Sequence, residues 1–120
     1  GALAVVALPR FVNLQDEADE AALEGVAGGM ASAMAINFAG CIANNHNTSS
    51  DDCVTISSCS DVANILQGGI PDGYSVSFSG GSSIANVTNG VEGECTVTQD
   101  NSSLPSGQDS MTFQGITAGL

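Results

Sequence analysis

From Pro9 onward, apolar side chains recur at steps of mostly three and four: Phe11, Leu14, Ala18, Ala21, Ala22, Val26, Met30, Ala33, Met34 and Ile36. That is the period of an amphipathic helix. Asp16, Glu17, Asp19, Glu20 and Glu24 are expected on its other face. The stripe is built largely of small residues. Gly25, Gly28 and Gly29 each weaken a helix by about 1 kcal/mol relative to alanine, so something must pack closely enough to compensate. The helix is expected to stop near Ala39-Gly40, with the glycine as a left-handed cap. Ahead of it, residues 1–8 (GALAVVAL) carry no polar side chain. Eight such residues fall well short of the ~20 that span a bilayer, and the run reads as one end of a longer apolar helix.

Residues 41–60 are polar and bracketed by cysteines, with room for a short strand at Val54–Ser57. Ser60 is a candidate N-cap for a short helix over Asp61–Gln67, ended by Gly68-Gly69. After the Pro71-Asp72-Gly73 turn the period changes to two. Tyr74, Val76 and Phe78 alternate with serines, Ile84 opens another short run, and Asn89-Gly90 is a hairpin signal. Cys95, Val97 and Gln99 alternate with threonines, and Met111, Phe113 and Ile116 close the pattern. The expectation is an α+β fold: one long amphipathic helix packed on a small antiparallel sheet of about four strands, stapled by disulfides.

Composition narrows the function. The chain has 120 residues, which fits one domain, and a formal charge of -12 from 13 acids and a single base, Arg10. A nucleic-acid partner is not expected, because one arginine cannot release the phosphate counterions on which such binding depends. Only 12% of residues are charged, where about a quarter is usual. With 42% apolar residues the chain is too hydrophobic for a disordered acidic tail. Cys41, Cys53, Cys59 and Cys95 in a small Ser/Asn/Gly-rich chain read as two disulfides formed in an oxidising compartment. The competing reading is zinc with His46 as a further ligand. It is disfavoured because no CxxC pair is present, and structural zinc sites usually carry close-spaced ligands.

Catalytic patterns are weak. His46 with Asp51 or Asp52 and a serine would make a triad, but no GxSxG elbow occurs and the histidine sits in an Asn/Ser loop. Asp51-Asp52 lack the DxDxDG spacing of a calcium loop. No phosphate-cradling glycine motif is present. The chain therefore reads as a non-enzyme with no cofactor.

The apolar run Gly1-Ala-Leu-Ala-Val-Val-Ala-Leu-Pro9-Arg10-Phe11, continued by an amphipathic helix, resembles the first helix of a type IV pilin. Pro9-Arg-Phe-Val-Asn-Leu-Gln-Asp16-Glu17-Ala18 is similar to the mannose-sensitive haemagglutinin group of those pilins, as are Asn64-Ile-Leu-Gln-Gly-Gly69, Pro71-Asp-Gly-Tyr74 and Cys95-Thr-Val-Thr98. The likeness is strong over residues 1–40 and looser beyond. A mature member would carry further apolar residues ahead of Gly1, with an N-methylated Phe and a buried Glu, behind a basic leader. Such an extension brings the run to the ~20 residues that cross a membrane.

The resemblance implies two parts: an N-terminal pilin helix at 1–40, whose residues 1–9 form the apolar filament-core end, and a globular head at 41–120. It implies a major pilin in a homo-oligomeric helical filament, held in the inner membrane before assembly and then displayed on the surface of a Gram-negative-type bacterium for adhesion or motility. Gly1, Leu3, Val5, Val6, Leu8, Pro9, Arg10, Phe11 and Leu14 would carry assembly. A pseudopilin of a type II secretion system and a secreted disulfide-stabilised binding module are the alternatives. Four cysteines allow three connectivities; the expected one joins Cys41 to Cys53 and Cys59 to Cys95. Arg10 is expected to act as a shared counter-charge for neighbouring acidic helices, with salt screening the rest. Residues 1–9 are expected to melt into extended chain on assembly, where protein neighbours shield the freed backbone groups. A filament map should show Val5–Leu8 extended; an unbroken helix there would reject the expectation.

Overall fold

A computed structural model describes residues 11–78 and 88–120, with the backbone alone at 11–14 and 78. Helix α1 runs Phe11–Ala43, 33 residues, or about 50 Å at 1.5 Å per residue. A loop and a short 3-10 helix, Cys59–Ile65, lead into three strands: β1 (Tyr74–Phe78), β2 (Glu92–Gln99) and β3 (Ser110–Ile116). The strands form an antiparallel meander in the order β1-β2-β3, with Val76 opposite Val97 and Cys95 opposite Phe113. The architecture is α+β, with one long helix laid on one face of the sheet. Among the described residues the sheet has three strands rather than about four. The run expected from Ile84 lies outside them.

The inward face of the helix is Leu23, Ala27, Met30, Met34, Asn37 and Cys41, all buried. Their steps of four and three keep them in one stripe. Leu23, Ala27, Met30 and Met34 pack with Cys95, Val97 and Phe113 of the sheet and with Ile56 and Val62, while Asn37 and Cys41 meet the disulfide loop. This stripe differs from the one expected. Ala18, Ala21, Ala22 and Ile36 are exposed, and Leu23, Ala27 and Cys41 take their place. From residue 25 on the cause is legible in the composition: residues 25–43 contain no charge, so apolar periodicity there cannot say which side turns inward.

The helix also runs past Gly40. A Cβ there would collide with the backbone carbonyl of Asp52, so glycine is needed for close approach and not for a left-handed cap. The end comes three residues later. Asn45 (φ 53) and His46 (φ 57) take the left-handed conformation. The His46 amide donates to the Cys41 carbonyl at 2.6 Å, and the Asn44 side-chain amide to that of Gly40 at 3.0 Å. Asn and His are tolerated there because such turns cost them less than most side chains.

Cys41 is bonded to Cys53, and Cys59 to Cys95, the expected pairing. The first closes a loop 12 residues apart in sequence. A loop of that order is worth about 3 kcal/mol in the chain-entropy account. The second ties the 3-10 helix to β2. The N-cap of that helix is Ser58, not Ser60. Asp61 fixes the choice, because its Oδ2 accepts from the Ser57 amide at 2.9 Å and the Ser58 amide at 3.2 Å. The short strand expected at Val54–Ser57 reduces to a single bridge between Ile56 and Ala118.

Asn37 gives the loop its register on the helix. Its amide nitrogen donates to the Val54 carbonyl and its oxygen accepts from the Val54 amide, both at 2.9 Å. One buried side chain thus does the work of a strand neighbour. Asn37→Leu should leave both Val54 backbone groups without these partners, and we expect a loss of about 2–4 kcal/mol in denaturant unfolding. A loss below about 0.5 kcal/mol would mean that water satisfies Val54 equally well.

Candidate functional site

The side of α1 turned away from the sheet is uncharged from Gly25 to Ala43. Gly25, Gly28, Ser32, Ala35, Ile36, Ala39 and Ile42 are exposed along it, Ile36 to 72% and Ile42 to 55%. A solvated helix face ordinarily carries Lys and Glu; this one does not. Gly25, Gly28 and Gly29 have nothing within 4 Å of where a Cβ would stand. No packing among the described residues calls for glycine at these positions, yet three glycines lie within five residues of a helix interior.

The helix over Gln15–Ala43 is long enough to cross a bilayer and contains an 18-residue window apolar enough to do so, with a mean hydropathy of 1.5. The core helix of a globular head meets the same criterion, and the sheet and the Cys41–Cys53 staple occupy the opposite side of this one.

Beside the open face lies a groove of about 730 Å³. Ala33 and Ile36 of α1, Ile65 and Leu66 at the end of the 3-10 helix, and Asp51 and Asp52 of the disulfide loop all line it. The disulfide loop builds it: Cys41–Cys53 and the Gly40–Asp52 approach hold the 51–54 segment against the last turns of the helix. Its lining mixes apolar side chains with neutral polar ones and two carboxylates. These residues were not legible as a group in the sequence, because they come from three separated segments.

The acids at the start of the helix divide, and Asp19 leaves the exposed face expected for all five. Asp19 points to the head. Its carboxylate accepts from the Ser103 hydroxyl at 2.7 Å, the Ser103 amide at 3.1 Å and the Gln15 side-chain amide at 3.0 Å. Its carbonyl accepts from the buried side chain of Gln99 at 3.1 Å, which also reaches the Tyr74 hydroxyl at 2.9 Å. The polar loop after β2 therefore meets the acidic turns, and the apolar sheet face begins one turn later at Leu23. Glu17, Glu20 and Glu24 are exposed.

The candidate chemical sites resolve differently. His46 Nδ1 accepts from the Gly119 amide at 3.0 Å, and its ring is tilted against Phe38. It buttresses the last residues of the chain. Ring nitrogen and both sulfurs of His46, Cys41 and Cys53 lie within 4.8 Å of one another. Both sulfurs are spent in the S–S bond, however, so they are not the thiolates that zinc requires. Of the residues expected to carry assembly, Phe11 and Leu14 stand in the first turns of α1. Gly1, Leu3, Val5, Val6, Leu8, Pro9 and Arg10 lie outside the described residues. Comparison with protein-family models, with curated proteins and with solved structures returns no match to this chain.

Asp19 supplies a pH dependence. The Ser103 hydroxyl, then the Ser103 amide, hold its carboxyl below the ordinary value of 3.8, against a desolvation that raises it and with help from Gln15. A lowered folded pKa stabilises the fold above the unfolded value, and the contribution is lost as pH falls through the folded one. Wild type should therefore melt above Asp19→Asn at neutral pH, and the gap should close as pH is taken well below 3.8. A gap in Tm that persists in acid would show that the tie is not electrostatic.

Proposed function

We propose that the chain is a structural subunit of a surface filament, a type IV pilin of the major kind, which serves adhesion or motility and is not an enzyme. The observation that carries this reading is the uncharged, glycine-lined outer face of α1. A lone subunit would be more stable with alanine at Gly25, Gly28 and Gly29, so their use is explained by close approach of another helix, the geometry small residues permit. The apolar run 1–8 ahead of the helix and the resemblance of residues 1–40 to pilin helices support the same conclusion.

In this reading residues 1–9 enter the apolar centre of a homo-oligomeric filament, and before assembly they hold the subunit in the inner membrane. The head, stapled by two disulfides, faces the outside of the cell, an oxidising setting in which those bonds persist. No cofactor or metal enters the mechanism. Assembly proceeds by burial of apolar and small-residue surface. A secreted binding module would share the staples but leaves the glycine face without a purpose.

The test separates monomer stability from assembly. Gly25→Ala, Gly28→Ala and Gly29→Ala should each stabilise the monomer by about 0.5–1 kcal/mol, since open space receives each new methyl. Combined, they should reduce filaments seen by electron microscopy of cells expressing the gene. Stabilised monomers with undiminished filaments would remove the observation on which the reading rests.

A further inference from the structure

We infer that the groove lined by Ala33, Ile36, Ile65, Leu66, Asp51 and Asp52 receives residues 1–10 of a second copy of this chain as they enter the filament centre, with Arg10 of that copy against the two aspartates. The inference rests on the filament reading and names the contact that propagates it.

Three observations carry it. First, charge: Arg10 is the only basic side chain in a chain of net charge -12. The residues three and four beyond it, where a helical partner would stand, are Asn13 and Leu14. Second, matching surface: residues 1–8 are wholly apolar and are followed by a cation two positions on, while the groove lining combines Ala33, Ile36, Val54, Ile65 and Leu66 with the carboxylates of Asp51 and Asp52. Third, reach. Arg10 is bonded to Phe11, the first residue of α1, and Asp52 packs against Gly40 near its far end. Twenty-nine helical steps separate those positions by roughly 43 Å, far beyond the length of an arginine side chain. Arg10 and Asp52 can therefore meet only between different copies.

The same distance dictates the kind of assembly. Arg10 directly precedes the first residue of α1 in sequence and Asp52 lies beside Gly40 near its far end, so the contact joins two different parts of the chain and is heterologous. A heterologous contact repeats from copy to copy, giving an open helical array unless the rotation closes a ring. Seating the single cation on the acidic loop also relieves, at every joint, the repulsion that stacked acidic subunits would otherwise feel.

A charge-swap experiment on the full chain tests this. Wild type, Arg10→Glu and the double variant Asp51→Lys/Asp52→Lys are compared by sedimentation velocity and negative-stain electron microscopy. Circular dichroism and non-reducing mobility verify helix and disulfides. If the lysine variant misfolds, Asp51→Asn/Asp52→Asn replaces it for the single-variant comparison, and Arg10→Glu mixed with wild type is read for capping of polymer growth.

Each charge-reversed variant alone should self-associate about tenfold or more weakly than wild type, as for a disrupted interfacial charge pair. A one-to-one mixture of Arg10→Glu and Asp51→Lys/Asp52→Lys should regain polymers, because both tail–groove pairs in the mixture are again opposite in sign. Net charge alone predicts the contrary for the lysine variant, whose smaller negative charge would strengthen association. Wild type that polymerises, with variants that polymerise equally or a mixture that stays dispersed, overturns the groove contact and leaves the filament reading standing. Wild type that stays monomeric and forms no filaments in cells overturns both.

Discussion

The described residues are arranged around a helix that buries one side of a cylinder uncharged from Gly25 to Ala43. Leu23, Ala27, Met30 and Met34 sit against Cys95, Val97 and Phe113, and that contact joins the two layers of the fold. Helix residues beyond the sheet do not bury comparable area. At the N-terminal end the polar loop after β2 meets the helix through Asp19 and Ser103 instead. At the other end the disulfide loop takes over, with Asn37, Gly40 and Cys41 all turned toward it. The head is thus fastened to the helix by three different means in succession: hydrogen bonds to a carboxylate, apolar packing, and a covalent staple.

The staples suit the composition. A sheet of three short strands with no tryptophan offers little area to bury. Cys41–Cys53 and Cys59–Cys95 shorten the unfolded chain's freedom at the loop and at the 3-10 helix, the segments with the least regular backbone pairing. They also hold Asp51, Asp52, Ile65 and Leu66 in place beside the helix. The groove is therefore a product of cross-linking as much as of packing, and its shape depends on an oxidised state.

Small residues on α1 serve two different ends. Gly40 is required by the fold, because the Asp52 carbonyl occupies the place of its side chain. Gly25, Gly28 and Gly29 meet open space. In the sequence Gly40 reads as a cap and the other three as helix-weakening residues on an apolar stripe. Only the positions of neighbouring atoms tell which glycine the fold needs and which meet open space.

Much was legible in advance. The existence of the long helix, the switch to a two-residue period after Gly73, and the inward alternation of Cys95, Val97 and Gln99 all follow from local pattern, because each depends on residues close in sequence. Three features were not legible. The buried stripe was misplaced since residues 25–43 are apolar on every side, and a sheet thirty or more residues away chose the face. The helix end was placed early since the role of Gly40 lies in a loop carbonyl twelve residues on. The 3-10 cap moved from Ser60 to Ser58 because Asp61 reaches backward to the amides of Ser57 and Ser58. The candidate site is of the same kind: the sequence supplied a lone arginine and an apolar run, but the acidic groove that matches them exists only once 33–36, 51–52 and 65–66 are brought together. Periodicity and charge are properties of neighbours along the chain, and they determined the elements. Which face is covered, and which is left open, is settled by distant segments competing for the same surface, and so by tertiary structure alone.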